Sequence, residues 1–286
     1  MSDRLGVLFD ETMDEYHNRS TAFGVHDLYY LYPHPLLFYK KFISKSIKDE
    51  SDSKAKAFGR YFHSLALEGE DATKANFAVL PREAEGKTKA AIAAWDEFVK
   101  QYSGKEIVTE DDCKLAWRMV EAIREKPGIC EILNPSLGRP EVTFRAQMPF
   151  YKLQCRSDWF LEKPPGGGPP MDVNVKTIDH LANFDQQFSK FDYYRGAAFY
   201  RAVMAKVLGL ERMEPQMLFL VVEKNEPFQA VLRVPDTQSM EIGWKEIMRD
   251  LSTLTRCFET GMWPGEPDVM RPVSLPSWKV RQFEAQ

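Results

Sequence analysis

The segment from Met171 to His180, MDVNVKTIDH, carries polar residues at every second position. Side chains alternate between the two faces of a strand, so Asp172, Asn174 and Lys176 are predicted to share one face. An acid two positions before a lysine on a strand is a common arrangement for metal-assisted phosphodiester cleavage. Here Asn174 stands where that acid is expected. Because the same spacing also occurs in solvated pairs on exposed sheets, the segment alone leaves a metal site and a solvated pair open.

Two further acids lie earlier in the chain on segments that alternate like strands. Glu141 begins EVTFRAQMPF, and Asp158 lies within KLQCRSDWFLE. Phosphodiester cleavage needs an activated water and neutralised phosphate charge, and Mg²⁺ supplies both when oxygen ligands from one or two carboxylates hold it. A nearby lysine can orient the water or stabilise charge on the phosphate. Carboxylates on adjacent strands, with Lys176 one side-chain repeat beyond, would give that geometry.

The elements that would position these residues follow from periodicity and turn signals. Before the sheet, residues 1–25 are predicted to be irregular, 26–43 a helix, a proline-bounded turn and a second helix, and 44–57 a mobile loop. Helices are predicted over 58–70, with Gly59 near the start, over 87–102, and over 109–127, where Thr109 and Asp112 form an N-cap signature and Pro127 stops the helix. Strands are predicted over 141–150, 152–162 and 171–178, with the connector KPPGGGPP at 163–170. A helix from Tyr193 to Gly209, strands over 216–224 and 229–235, and a helix over 238–261 complete the pattern.

This order predicts one α/β (α+β) domain over residues 1–286, with a central mixed β-sheet flanked by helices. A helical N-terminal part would span about 16–127, the core sheet and its helices about 141–261, and a proline-rich tail 262–286. Hydrophobic residues make up 44% of the 286 residues and aromatic residues 13%, which favours a packed core over disorder.

Composition also narrows the class of protein. There is no run of about 18 apolar residues, which predicts no membrane span. The cysteines are scattered without a CxxC pair, so neither a zinc site nor a disulfide framework is expected, and we predict a reduced, cytoplasmic protein. The net charge of −4 argues against a protein that coats nucleic acid but is neutral about a DNA-processing enzyme.

An ordered set of motifs resembles a known nuclease branch. HPLLFYKKFI, FGRYFHSLALEGE, RPEVTFRAQMPF with LQCRSDWFLE, VNVKT, YYRGAAFYRAV, VVEKNEPFQAVLRV and GMWPG occur in this order, over roughly residues 16–265. Together they are similar to the exodeoxyribonuclease VIII-type branch of the PD-(D/E)XK nuclease superfamily, which contains phage recombination exonucleases. The resemblance implies a restriction-endonuclease-like core, Mg²⁺ (with Mn²⁺ as an alternative), duplex DNA ends as substrate, a homo-oligomer and a single-strand annealing protein as partner.

The resemblance also implies roles for individual residues. His63 matches a helical histidine at the metal site, and Glu141 matches the acid that opens the first core strand. Asp158 matches the metal-binding aspartate of an Arg-Pro-Asp pattern, with Ser157 in place of the proline. Lys176 matches the catalytic lysine, and the carbonyl of the residue before it would contact a metal. The matching residues are His63, Glu141, Asp158, Asn174, Val175 and Lys176, with Tyr193 and Tyr200 as aromatic positions around the glutamine motif of the following helix.

Two positions depart from the pattern of the branch. It has Asp or Glu where this chain has Asn174, and Gln where this chain has Gly196. Asn174 keeps a carbonyl oxygen but lacks the negative charge that attracts a hard cation. Asp172 is a candidate compensating acid, although one strand repeat separates it from Asn174 by about 6.6–6.8 Å. Asn174 is either natural or an introduced change, and Gly196 is a second, independent loss that favours natural degeneration.

Three functions therefore compete at this point. The first is a Mg²⁺-dependent exonuclease whose site is weakened or silent because of Asn174 and Gly196. The second is a nuclease-like protein without catalysis that binds DNA ends or serves in an assembly, for which DNA affinity would fall steeply with salt. The third is an α/β protein that shares the fold alone and binds neither metal nor DNA.

Overall fold

The structure, a computed structural model, describes residues 4–17, 22–32, 34–47, 54–210, 214–270 and 272–284. The strands within these ranges are β1 Gly6–Leu8, β2 Ala22–Phe23, β3 Phe77–Leu80, β4 Glu106–Thr109, β5 Gly138–Gln147, β6 Lys152–Leu161, β7 Met171–Ile178, β8 Gln216–Glu223 and β9 Ala230–Arg233. The α-helices are α1 Met13–His17, α2 Val25–Leu28, α3 Pro35–Phe38, α4 Lys54–His63, α5 Glu70–Asn76, α6 Lys89–Gln101, α7 Glu110–Arg124, α8 Pro127–Ile132, α9 Phe184–Lys190, α10 Tyr193–Leu208, α11 Thr237–Thr260 and α12 Ser277–Glu284. Short 3-10 segments cover Tyr29–Leu31, Arg82–Ala84 and Leu181–Asn183, and π-helical turns cover Tyr39–Ile43 and Ser64–Glu68.

A seven-stranded mixed sheet forms the centre of the fold. Its strand order is β1-β5-β6-β7-β8-β9, and β2 also pairs with β6. The β5–β6, β6–β7 and β8–β9 pairs are antiparallel, whereas β7 and β8 are parallel. A separate parallel pair joins β3 to β4. The predicted central mixed sheet flanked by helices is therefore confirmed.

Helix ends follow their capping residues. The Thr109 hydroxyl accepts a hydrogen bond from Asp112 N at 3.1 Å, and the Asp112 carboxylate accepts one from Thr109 N at 3.1 Å, so this reciprocal pair begins α7 as predicted. Gly209 and Gly261 end α10 and α11 with φ of 67° and 68°, a left-handed conformation that glycine adopts without steric penalty.

The two faces of the sheet bury different apolar clusters. Trp159, Val173 and Val175 pack with residues of α4 and α7, including Phe62 and Met119. On the other face, residues of β5 and β6 pack with α10 and α11 in a second cluster that contains Phe144, Cys155, Phe160, Phe199 and Leu254. The helices are thereby fixed on opposite sides of the strands that carry the predicted site residues.

The alternation of side chains along β6 reverses at Asp158. Residues an odd number of positions apart in a regular strand point to opposite faces, yet Cys155 and Phe160, five positions apart, lie in the same core cluster. Trp159 lies in the cluster on the opposite face of the sheet. On β5 the facing residue, Glu141, has a φ of 55°, and the regular pairing skips from Pro140–Trp159 to Val142–Ser157. A local irregularity of this kind re-aims side chains, here those of the two predicted acids.

The edge of β6 that faces β7 is only partly paired. β7 pairs with it from Leu161 to Trp159, and β2 pairs with it at Lys152 and Leu153. The strands β6 and β7 therefore diverge at Asp158, and a gap opens in the sheet between β2 and β7. Backbone groups in such a gap must find partners other than a neighbouring strand.

Several predictions about individual elements need correction. Residues 1–25 contain β1, α1 and β2 instead of being irregular throughout their described part. Pro127 does not end the preceding helix, which stops at Arg124, but occupies the first turn of α8, where its missing N–H leaves no hydrogen bond unmade. Gly59 lies within α4 instead of near its start, because that helix begins at Lys54. The predicted loop over 44–57 is therefore shorter than expected, and its residues 48–53 lie outside the described part of the chain. The short elements β3, β4, α5, α8, α9 and α12 were not predicted.

The remaining boundaries agree with prediction within a few residues. β7 matches the predicted strand over 171–178, and the connector at 163–170 is neither helix nor strand. Among the described helices, none has the length and apolar character needed to cross a membrane.

Candidate metal centre

Three predicted residues converge where β6 and β7 diverge. His63 closes α4, Glu141 lies on β5 and Asp158 on β6, and each offers a ligand atom within 4.8 Å of those of the other two. With metal–oxygen bonds of about 2.1 Å, ligand atoms this close together could be shared by one divalent cation after small side-chain adjustments. One imidazole and two carboxylates form a donor set that suits Mn²⁺ as well as Mg²⁺.

Glu141 is held by an arginine from the next strand. Arg156 Nε donates to Glu141 Oε2 at 2.7 Å, and its Nη1 donates to the carbonyl of Glu11 at 2.8 Å and to the hydroxyl of Thr143 at 3.0 Å. Burial, assisted by the nearby Asp158 carboxylate, raises the pKa of Glu141 to about 7 despite this arginine. A cation bound beside Glu141 would favour the ionised form of that carboxyl, so metal binding would release a proton near neutral pH.

Asp158 is tied to β7 through the backbone. Val175 N donates to Asp158 Oδ2 at 2.7 Å, and this bond replaces the ladder hydrogen bond lost where the strands separate. His63 Nδ1 lies 3.8 Å from the same oxygen. Burial and the nearby Lys176 lower the pKa of His63, against the opposing effect of Asp158, and the neutral imidazole that results is the form that binds metals.

Asn174, Lys176 and Asp172 share one face of β7, as their spacing predicts. All three line a cavity beside the three-residue cluster, together with aromatic side chains from α2, α10 and the Tyr29–Leu31 turn. Pairing between β6 and β7 ends at Trp159–Val173, so Asp158 and Asn174 are the first residues of the two strands beyond the paired part. Lys176 Nζ lies 5.3 Å from the centre of the Tyr193 ring.

Asp172 is the most buried of the acids. Its side chain has no exposed surface; Oδ1 accepts a hydrogen bond from the Ser157 hydroxyl, and Oδ2 has no partner among the described residues. Burial raises its pKa to about 7, with a further rise from Asp158. Asp172 does not belong to the group of three ligands within 4.8 Å, so its predicted compensating role stays a prediction.

Helix α10 faces the cavity with Tyr193, Gly196 and Tyr200. Burial raises the pKa of both tyrosines, which therefore stay neutral near pH 7. A Cβ atom added at Gly196 would meet no other atom within 4 Å, so the position where the related branch has glutamine is open. The sequence-predicted aromatic positions thus lie beside the predicted metal ligands.

Replacing Gly196 by alanine is expected to stabilise the protein. Glycine inside a helix is about 1 kcal/mol less favourable than alanine, and the new methyl group meets open space. We expect the midpoint of thermal unfolding to rise by roughly 2–4 °C. Differential scanning calorimetry compares Gly196→Ala with Gly243→Ala, where a Cβ would lie 2.7 Å from the Tyr194 carbonyl and should destabilise. An unchanged or lower midpoint for Gly196→Ala would contradict the conclusion that position 196 is an open position within α10.

Two side chains that hold the site were not predicted in these roles. Arg156 holds Glu141, and Ser157, identified from the sequence only as a replacement for proline, binds Asp172. The sequence signal that could have indicated these roles is their position directly before Asp158. Neighbouring residues of a strand point to opposite faces, so Arg156 and Ser157 can each contact an acid on a different side of β6.

A family comparison adds an independent observation. Residues 40–270 match the family model described as a PDDEXK-like domain of unknown function (DUF3799), a span that contains His63, Glu141, Asp158 and Lys176. The chain belongs to this PDDEXK-like family. No curated protein matches the sequence.

One solved structure has a similar fold. A candidate exonuclease from Eubacterium rectale is 12% identical to the chain, with a TM-score of 0.59, over 93% of this chain and 96% of that one. At this identity the likeness concerns the fold. A second structure, SSO0001, aligns with 11% identity and a TM-score of 0.28 over 70% of this chain and 85% of that one, too low to carry an argument.

Proposed function

We propose that this PDDEXK-like protein is a divalent-metal-dependent deoxyribonuclease that removes nucleotides from duplex DNA ends, like the exodeoxyribonuclease VIII-type branch that its motifs resemble. The observation that carries the proposal is the convergence of His63, Glu141 and Asp158 where β6 and β7 diverge. The name of the similar Eubacterium rectale structure, a candidate exonuclease, agrees with it. A bound metal would supply an activated water and neutralise phosphate charge.

Residues of the chain would bind the metal, position the water and stabilise the charge on the phosphate. His63, Asp158 and the Val175 carbonyl would hold the metal, with the Asn174 amide oxygen as a weaker ligand. Glu141, held by Arg156, would position the attacking water or a second metal. Lys176 would orient that water or stabilise the charge developing on the phosphate.

The decisive experiment is digestion of end-labelled linear duplex DNA with Mg²⁺ and with Mn²⁺, beside closed circular DNA of the same sequence. We expect labelled nucleotides to be released from the linear molecule alone, and only with metal. Cleavage of the circle would indicate an endonuclease. No cleavage with either metal would contradict the proposal for the chain as it stands.

Replacing His63 by alanine should weaken Mn²⁺ binding by at least about 10-fold, because disturbing even the groups around a metal ligand costs about 10–100-fold. Isothermal titration calorimetry measures this directly, without reference to cleavage. His180, which is exposed and outside the cluster, provides the control variant His180→Ala. Equal Mn²⁺ affinity of the two variants would contradict the assignment of His63.

A second candidate function is binding of DNA ends without cleavage. Asn174 favours it, because that position lacks the carboxylate of the related branch, and Asp172 is engaged with Ser157. This function predicts DNA affinity that falls steeply with salt as counterions are released, with no product under any metal. An oligomer and a single-strand annealing partner, both implied by the resemblance, fit either function.

A further inference from the structure

The N-terminal segment, residues 4–17, lies against the sheet beside the metal cluster. It precedes the part of the chain that matches the family model, which begins at residue 40. Its strand β1 pairs with β5, and the last pair joins Leu8 to Thr143. Glu141, one of the three predicted ligands, lies two residues before Thr143 on β5. The segment is therefore placed to act on the metal site.

A buried ion pair fixes this segment on the sheet. The Glu11 and Arg145 side chains are 5% and 2% exposed, and Glu11 Oε1 lies 2.9 Å from Arg145 Nη1. Arg145 Nη2 donates to Glu11 Oε2 at 3.0 Å, and its Nη1 donates to the Arg4 carbonyl at 3.1 Å. Breaking a buried pair by removing one partner is strongly destabilising, because the other charge is left buried and uncompensated. The position of Glu11 is therefore well defined.

The backbone of Glu11 in turn holds Arg156. Arg156 Nη1 donates to the Glu11 carbonyl at 2.8 Å, and its Nε donates to Glu141 Oε2 at 2.7 Å. One guanidinium therefore joins the N-terminal segment to a predicted metal ligand. Because the N–H donors of arginine have a fixed planar arrangement, the orientation of Arg156 at Glu11 determines its orientation at Glu141.

The ring of Tyr16 is held by the same network. Gln154 has no exposed surface, and its Oε1 accepts hydrogen bonds from Arg145 Nε and Nη2 at 2.9 and 2.7 Å. Its Nε2 donates to the Tyr16 carbonyl at 3.2 Å, while the Arg156 guanidinium lies 5.8 Å from the centre of the Tyr16 ring. The buried pair thus supports two groups that contact Arg156, the Glu11 carbonyl and the Tyr16 ring.

Two roles for the ion pair make different predictions. If the pair only attaches β1 to the sheet, its loss lowers the stability of the fold and leaves a folded variant with an unaltered metal site. If the pair positions Arg156, its loss also frees the guanidinium and lets Glu141 turn away from the cluster. The direct connection from Glu11 through Arg156 to Glu141 favours the second role.

We propose that Glu11 is a positioning residue of the metal centre, which acts through its carbonyl and Arg156 on the orientation of Glu141. Arg145 serves the same role by holding Glu11 in place. The inference rests on the function proposed above, because it concerns the affinity of the cluster for a cation. It extends the site to a segment that precedes the part of the chain matched by the family model.

The test compares variants of the full chain. Glu11→Gln keeps the size of the side chain and removes its charge. Asp10→Asn is the matched control, because Asp10 also pairs with an arginine, Arg4, at 2.9 Å, yet its side chain is 74% exposed. Arg145→Lys keeps the charge but loses the fork that contacts both Glu11 and Gln154, and it provides a milder second variant should Glu11→Gln fail to fold. Circular dichroism checks the folding of each variant.

Two measurements are made on each folded variant. Isothermal titration calorimetry gives the Mn²⁺ affinity, which should fall by about 10–100-fold in Glu11→Gln, by less in Arg145→Lys and not at all in Asp10→Asn. Nitrogen-15 NMR of the metal-free protein gives the rate at which the Arg156 Nε–H exchanges with water. This rate should rise in Glu11→Gln and Arg145→Lys and stay constant in Asp10→Asn. Arg156→Lys removes the signal and thereby assigns it.

The outcomes separate the inference from the function on which it rests. Unchanged Mn²⁺ affinity in folded Glu11→Gln and Arg145→Lys overturns the inference alone. A lower affinity with unchanged Nε–H exchange overturns it too, because Glu11 would then act without Arg156. An equal loss in Asp10→Asn would assign the effect to the net charge of the segment and overturn the role of the buried pair. If the unaltered chain binds no Mn²⁺, the proposed function and this inference fail together.

Discussion

Replacing Asn174 by aspartate is expected to raise metal-dependent DNA cleavage by at least about 10–100-fold. Position 174 and Asp158 are the first residues beyond the last β6–β7 pair, Trp159–Val173, and Asp158 belongs to the cluster with His63 and Glu141. A carboxylate at position 174 would therefore add the negative charge that attracts a hard cation beside that cluster. Weakening a group around a metal ligand typically costs about 10–100-fold, and restoring a direct carboxylate should gain no less. The measurement is the rate of nucleotide release from end-labelled duplex DNA across a Mg²⁺ titration.

Three controls separate a restored metal site from other changes. Asn174→Ala should show no gain, and Lys176→Ala added to Asn174→Asp should abolish the gain, because Lys176 is the residue proposed to stabilise the charge that develops on the phosphate. Adding Gly196→Gln should raise activity further if the open space beside α10 normally holds that side chain. If Asn174→Asp binds Mn²⁺ more tightly yet cleaves nothing, the site holds metal without catalysis, and DNA-end binding becomes the better assignment.

The central fold was predictable because its signals are local. The alternating residues of β7 and the capping pair at the start of α7 report strand and helix without reference to distant groups. The short parallel pair of β3 and β4 was missed for the converse reason. Each strand has four residues, and the two pair across a separation that includes α6, so nothing local distinguishes them from loop.

The candidate site was predictable in its residue types but not in its geometry. Spacing set Asn174 and Lys176 on one face of β7, and the motif resemblance added His63 from a helix far away in sequence. The reversal of side-chain alternation at Asp158 depends on the left-handed backbone of Glu141 and on packing of Trp159 against the opposite cluster. These effects depend on tertiary contacts, so they cannot be predicted from the periodicity of one strand.

Asp172 shows why spacing alone overstates the number of available ligands. It shares a face with Asn174, as the two-residue period requires, yet it is wholly buried and bound to Ser157. Reaching a metal held by Asp158 would require breaking that contact and exposing a carboxylate whose pKa burial raises to about 7. Burial and the Ser157 contact therefore argue against direct metal binding by Asp172, and its compensating role stays a prediction.

Replacing Asp172 by asparagine should change how stability depends on pH. Burial raises the pKa of Asp172 from 3.8 to about 7, so between these values the folded state keeps a proton that the unfolded state has released. The stability of the unaltered protein therefore falls as pH rises through this window and levels off above pH 7. Asparagine keeps the volume and a hydrogen-bonding group for Ser157 but does not titrate. As pH rises from 5 to 8, the unfolding free energy of Asp172→Asn should therefore increase by about 3 kcal/mol relative to that of the unaltered protein.

Urea unfolding in a chelator at pH 5, 6, 7 and 8 measures this difference without interference from bound metal. The control is Asp179→Asn, because Asp179 is exposed and its pKa is lowered by Lys224, so its effect on stability should be constant over this range. Parallel curves for Asp172→Asn and the unaltered protein would mean that Asp172 ionises freely at pH 5. The carboxylate would then be ionised and able to bind a cation. That result would support Asp172 as a compensating metal ligand.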